Sequence, residues 1–144
     1  MTYRLLFLIG ISLVSGRAAA LPDRYDCEVK QIVKLDDAGN LRDATSDSPR
    51  ASLYKPLLGK TFIINRSTGN INSDTGWFKT SEFEKVTIIS TGREENAFRA
   101  VYVGGPPTSV TTFLHIKETA KSELKPFILV DSSFAELTFS GTCK

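Results

Sequence analysis

His115, Asp131, Ser132 and Ser133 are the residues whose types suit catalysis. A histidine base, an orienting acid and a hydroxyl nucleophile make an acyl-transfer triad when they converge within hydrogen-bond reach. The chain has one histidine, and it sits inside Val110–Lys117 (VTTFLHIK), where alternation places it with Thr111, Phe113 and Lys117, opposite Leu114 and Ile116. There is no Gly-x-Ser-x-Gly elbow to present a serine. A hydrolase using His115 and Asp131 is therefore an alternative reading, and no catalytic residue is assigned. The adjacent carboxylates Asp36-Asp37 and Glu94-Glu95 fall in turn sequences, where solvated tips account for them. Asp36-Asp37-Ala38-Gly39-Asn40 has the acidic character of a calcium loop without its alternating ligands or closing Glu. One His and two Cys are too few soft ligands for a four-coordinate zinc centre. No metal site and no cofactor are expected.

Two further pairs carry more information. Trp77-Phe78 follows the polar turn Asn72–Gly76, and Phe83 comes soon after. Neighbouring side chains on a strand point to opposite sides, so two adjacent large aromatics do not enter one core from one face. Trp77 and Phe78 are the candidates for binding a ligand or partner, against the plainer expectation that both are buried between layers. Cys27 and Cys143 lie near the two ends of the chain and allow one intramolecular pairing. A disulfide closing a loop of ~100 residues stabilises by roughly 4–5 kcal/mol in the chain-entropy account. No Cys-x-x-Cys motif points to redox chemistry instead.

The compartment follows from the amino terminus. Met1–Arg4 is a short positive start, Leu5–Val14 (LLFLIGISLV) is an apolar run, and Ala18-Ala19-Ala20 supplies small residues for cleavage. This is the plan of a secretory signal peptide over residues 1–20, leaving Leu21–Lys144 as a single exported domain, periplasmic or secreted. Arg17 interrupts the apolar run before the ~20 residues a membrane span needs, so no membrane anchor is expected. The formal net charge of +2 belongs to this leader. Residues 1–20 hold Arg4, Arg17 and no acid, so removing them takes the 18 basic residues to 16, matching the 16 acidic ones. A neutral domain lacks the basic footprint of a nucleic-acid binder and the cationic surplus that anionic membranes attract.

The elements that must position these residues are strands. Tyr25, Cys27, Val29, Val33 and Leu35 share one face of a first strand, with one break at Gln31-Ile32. Thr61–Asn65, Val86–Ser90, Ala97–Val103, Val110–Lys117, Phe127–Val130 and Phe134–Cys143 read as further strands, separated by Gly-, Pro- and Asp-rich turns. The pair Ile88-Ile89 suggests a strand covered on both faces. Ser48-Pro49 opens a helix of at most two turns, with Leu53, Tyr54 and Leu57 on one face and Pro56 and Gly59 ending it. A second short helix is expected near Thr119–Leu124. Six to eight short strands with one or two short helices make an all-β antiparallel fold, a small barrel or a sandwich.

Gly59–Gly69 (GKTFIINRSTG), Lys125–Asp131 (KPFILVD) and Phe139–Cys143 (FSGTC) resemble small exported bacterial proteins of uncharacterised function. The resemblance covers about half of Leu21–Lys144 and implies an exported all-β domain with one disulfide. It implies no activity and no catalytic residue. The leading expectation is a non-enzymatic exported β-domain that binds a protein or a small apolar ligand in the cell envelope. A small exported inhibitor fits the same description by analogy of fold. A structural accessory subunit of an envelope assembly is a further alternative.

Overall fold

Strand alternation dominates the chain because its β-branched and aromatic residues recur at every second position between turn clusters. In the computed structural model, residues 23–79, 83–93, 96–106, 110–132 and 136–144 are described. The expected signal peptide, Glu94-Glu95, Pro107, Ser133 and Phe134 lie outside them. The strands are β1 (Arg24–Leu35), β2 (Leu41–Asp43), β3 (Thr61–Asn65), β4 (Ile71–Ser73) and β5 (Lys85–Arg93). They continue as β6 (Asn96–Val103), β7 (Thr111–Ile116), β8 (Lys125–Asp131) and β9 (Leu137–Cys143). One short helix, α1 (Ala51–Tyr54), runs into a 3-10 turn at Lys55–Leu57.

All these strands join one sheet, in the order β4-β3-β1-β9-β8-β7-β6-β5, with β2 alongside the end of β1. Every pairing is antiparallel. The fold is all-β, and of the two architectures the sequence left open it takes the barrel side: one curled sheet, a half-barrel. Tyr25, Phe62, Phe98, Tyr102, Leu114, Ile116, Leu129 and Phe139 are buried on its inner face.

Several local expectations are corrected. In β1 the register with β9 slips between Val29 and Gln31, so Lys30 is an extra residue and the inward phase shifts by one. Ile32 is consequently buried, whereas Leu35, expected on the inner face, is 50% exposed. The opposing residue is Gly141, whose missing side chain matters, because a Cβ there would run into the Glu28 carbonyl oxygen. The Ile88-Ile89 pair has the same explanation. The β5–β6 register skips Ile89, which projects outward at 58% exposure, so it is a bulge and not a doubly covered strand. In the helical segment Tyr54 and Leu57 are buried, but Leu53 points to solvent. Residues 119–124 form turns and bends, so the second helix is absent.

β4 and β5 end the ladder and do not pair with each other. Side chains join the seam between them. Tyr102 Oη donates to the Gly69 carbonyl at 2.8 Å. Arg66, just past β3, donates through Nε to the Thr91 carbonyl at 2.7 Å and through Nη2 to the Gly92 carbonyl. Its Nη2 also lies 3.4 Å from Glu118 Oε1, which accepts a hydrogen bond from Tyr25 Oη. The Arg66 guanidinium sits 5.4 Å from the Tyr25 ring centroid. Arg66 and Glu118 are both buried. Gly92, at φ +68°, gives the chain room here, since a Cβ would stand 3.0 Å from Glu118 Cγ and 3.1 Å from Arg66 Nη2.

Cys27 and Cys143 face each other directly across β1 and β9 and are joined by a disulfide spanning 116 positions. Asp26 and Lys144 exchange backbone hydrogen bonds beside it, at 3.0 and 3.1 Å. A disulfide fits a protein outside the reducing cytoplasm. No helix among the described residues is long and apolar enough to cross a membrane.

Two outcomes test this construction. Mass spectrometry of unreduced protein should find one intramolecular Cys27–Cys143 bond, and the Cys27→Ser/Cys143→Ser variant should lose roughly 2–5 kcal/mol in urea unfolding; two free thiols would contradict it. Alkaline titration tests the seam. Burial raises the Tyr25 hydroxyl above its ordinary pKa, reinforced by the hydrogen bond to Glu118 and its charge and opposed by Arg66. Burial raises Tyr102 as well. The fold thus favours the protonated phenols, so their contribution is complete below about pH 10 and declines as pH rises beyond it. Phenolate absorbance should accordingly appear together with unfolding, and Tyr25→Phe should flatten the alkaline loss of stability.

Candidate functional site

The inner face is filled at the Arg66 end and hollow at the other. A cavity of about 500 Å³ opens there, within the ~300–1,000 Å³ typical of small-molecule sites. Its walls follow from the strand phases. On β8, Leu129 keeps the inward phase of Phe127, and Asp131 continues it at the strand's end. Thr112 on β7 is the residue directly opposite Asp131 and shares its face. Gly104 and Val110, which close the β6–β7 connection through a 2.7 Å bond from Gly104 N to the Val110 carbonyl, border the opening. Ile71 of β4 and the segment Gly76–Phe78 form the wall across from them.

A hydroxyl turn sets that last segment. Ser73 Oγ accepts from Thr75 N at 3.1 Å, lies 3.0 Å from Thr75 Oγ1, and reaches the Thr61 carbonyl at 3.3 Å. The chain leaves β4 through this turn and passes the cavity with Trp77 and Phe78. Both candidates from the sequence therefore line the same hollow. They are not equivalent. Phe78 is 3% exposed, stacked on Phe62 at 5.0 Å and edge-on to Phe139 at 4.9 Å. Trp77 is 40% exposed and meets Tyr54 edge-on at 5.9 Å. Phe83, just before β5, adds a third aromatic wall, tilted against Tyr102 at 5.3 Å.

The catalytic constellation is not brought together. His115 pairs with Ile128 and Arg99, on the outer phase of its strand beside Phe113. Asp131 pairs with Thr112 on the inner phase. The two side chains thus leave the sheet on opposite faces. Burial, with the charges of Arg99 and Lys117, holds the His115 imidazole below its ordinary pKa. Ser132 Oγ is engaged by the Thr111 backbone, donating to its carbonyl at 2.6 Å and accepting from its N–H at 3.0 Å. The Asp36 carboxylate accepts from Asn40 N at 2.7 Å, Ala38 N at 3.0 Å and Arg42 Nε at 3.0 Å. These bonds, the Asn40 amide first and Arg42 next, lower its pKa to about 2. Among the described residues no three His, Cys, Asp or Glu side chains gather in a metal-binding arrangement.

Sequence reasoning found the aromatic wall and missed the Thr112–Asp131 wall as part of it. The missing signal was the pairing of β7 with β8, which no local pattern contains. Arg66 and Glu118 were missed for the same reason.

The unequal roles of the two aromatics give a stability test. Phe78→Ala should cost about 3–5 kcal/mol in urea unfolding, as for other buried phenylalanines. Trp77→Ala should cost only about 1 kcal/mol, the scale of its single ring contact.

No family model, curated protein or solved structure matches this chain.

Proposed function

We propose that this protein is a non-enzymatic binding domain of the cell envelope, periplasmic or secreted, that holds a small apolar ligand in the cavity at the open end of its curled sheet. The observation carrying this reading is the cavity itself, a hollow of about 500 Å³ walled by Ile71, Trp77, Phe78, Phe83, Val110 and Leu129. A well-packed interior has few voids larger than a water molecule, and burying apolar surface in such a hollow contributes ~25 cal/mol per Å². Export through residues 1–20 would supply the oxidising compartment in which the Cys27–Cys143 bond persists.

A second reading, a protein partner, is favoured by the outer face. Val101, Phe113 and Val130 are aligned across β6, β7 and β8, and Ile128 and Val130 are more than a third exposed. Exposed apolar strips of this kind mark interaction sites when they are contiguous. An inhibitor or an accessory subunit of an envelope assembly would use such a surface, leaving the cavity empty.

Trp77 makes the first reading measurable, because it is the chain's single tryptophan and stands at the cavity. Titration with N-phenylnaphthylamine, a neutral apolar fluorophore, should give saturable energy transfer from Trp77. Val110→Phe, which adds bulk at the opening, should weaken that binding roughly tenfold or more, the scale of a few methylene groups in an apolar pocket. Non-saturable transfer, equal in both proteins, would favour the outer-face reading.

A further inference from the structure

We propose that the ligand of this cavity is an organic ammonium cation carrying a single apolar body, with the body against Phe78 and Leu129 and the positive charge at Asp131. This rests on the cavity being a ligand site, as argued above, and adds the sign of the charge. Asp131 is the one ionisable side chain among the described residues lining the hollow, and no lysine, arginine or histidine is among them. A second carboxylate stands beside the opening. Glu84 Oε2 lies 2.9 Å from where a Cβ on Gly105 would be, next to Gly104 of the wall.

The aromatic walls point the same way. A cation within ~6 Å of a ring face is attracted by the ring quadrupole, most strongly by tryptophan. Phe78 is 3% exposed and forms the inner wall against which only the apolar body can lie, whereas Trp77 is 40% exposed and Phe83 partly buried, so theirs are the rings open to a charge. The depth of the site orders the ligand. Leu129 precedes Asp131 by one inward position and is buried, whereas Asp131 ends β8. The apolar body therefore goes inside and the charge stays at the opening, where it retains some hydration. An anionic amphiphile of the same length would set its charge beside Asp131 and Glu84. Without residues 1–20 the chain carries equal numbers of basic and acidic residues, so discrimination between the two must be local.

Calorimetric titration of the full protein with three ligands of one chain length tests this: decyltrimethylammonium, decanol and decanoate, each below its micelle concentration. The cation should bind roughly tenfold or more tighter than decanol, and decanoate weakest. Added salt should shrink the difference. In Asp131→Asn, checked for folding by circular dichroism, the ratio of cation to decanol affinity should fall toward one, and Glu84→Gln should lower it in part. Decanol binding with no preference for the cation, or a preference that survives both substitutions, would overturn the inference and leave the cavity reading standing. Failure of all three ligands to bind would overturn both.

Discussion

A sheet that curls until its ends approach must do something with the two edge strands, and here that constraint is met by side chains. Backbone hydrogen bonds run without interruption from β4 to β5 and stop there. Without a donor the Gly92 carbonyl would be a buried acceptor, which costs ~1–3 kcal/mol when left unmade, and the Thr91 carbonyl a partly buried one. Arg66 supplies donors to both. Its charge is then balanced by Glu118 and shared with the Tyr25 ring. Such a buried ion pair is a weak source of net stability, because desolvation offsets much of its attraction. What it provides is register. A guanidinium with fixed donors has few ways to satisfy two carbonyls and a carboxylate at once, so the seam closes in one arrangement.

That closure gives the molecule two unlike ends. At the Arg66 end, the Tyr25, Phe98 and Glu118 side chains occupy the space between the sheet's margins, and Tyr25 and Phe98 pack at 5.3 Å. At the other end Gly104 and Val110 close the β6–β7 connection at the rim, the Ser73–Thr75 turn sends Trp77 past the opening, and a hollow remains. A curled eight- or nine-strand sheet has an interior about wide enough to be filled by its own side chains or to hold one small ligand. This sheet does the first at one end and the second at the other. The disulfide lies near the middle of the strand order, across β1 and β9, and ties together two strands away from the seam.

Much of this was legible in the residues. The alternation of apolar and polar side chains marked most of the strands, because a strand's period of two is a local property. Two cysteines could pair in only one way within the chain, and the Trp77-Phe78 pair raised a split between core and surface because neighbours on an extended chain diverge, although the plainer expectation that both are buried fails at Trp77, which is 40% exposed. The bulges were visible too, as the Gln31-Ile32 break and the Ile88-Ile89 doublet, but their meaning was not. Whether a broken alternation is a bulge, a doubly covered strand or the end of a strand depends on what the partner strand does opposite it: Gly141 is far away in sequence, and Arg99, though just across a hairpin, is placed by the register of that pairing.

The residues alone therefore specify most of the strands, the single possible bridge and the odd aromatic pair, all written in neighbouring residues or in a count. That the strands form one curled sheet, that Arg66 meets Glu118 and Tyr25, and that Thr112 and Asp131 complete a cavity with Trp77 while His115 faces away emerges only when the chain is folded. These outcomes depend on strand order and register. Both are set by long-range pairing, and a shift of one residue turns every side chain to the opposite face.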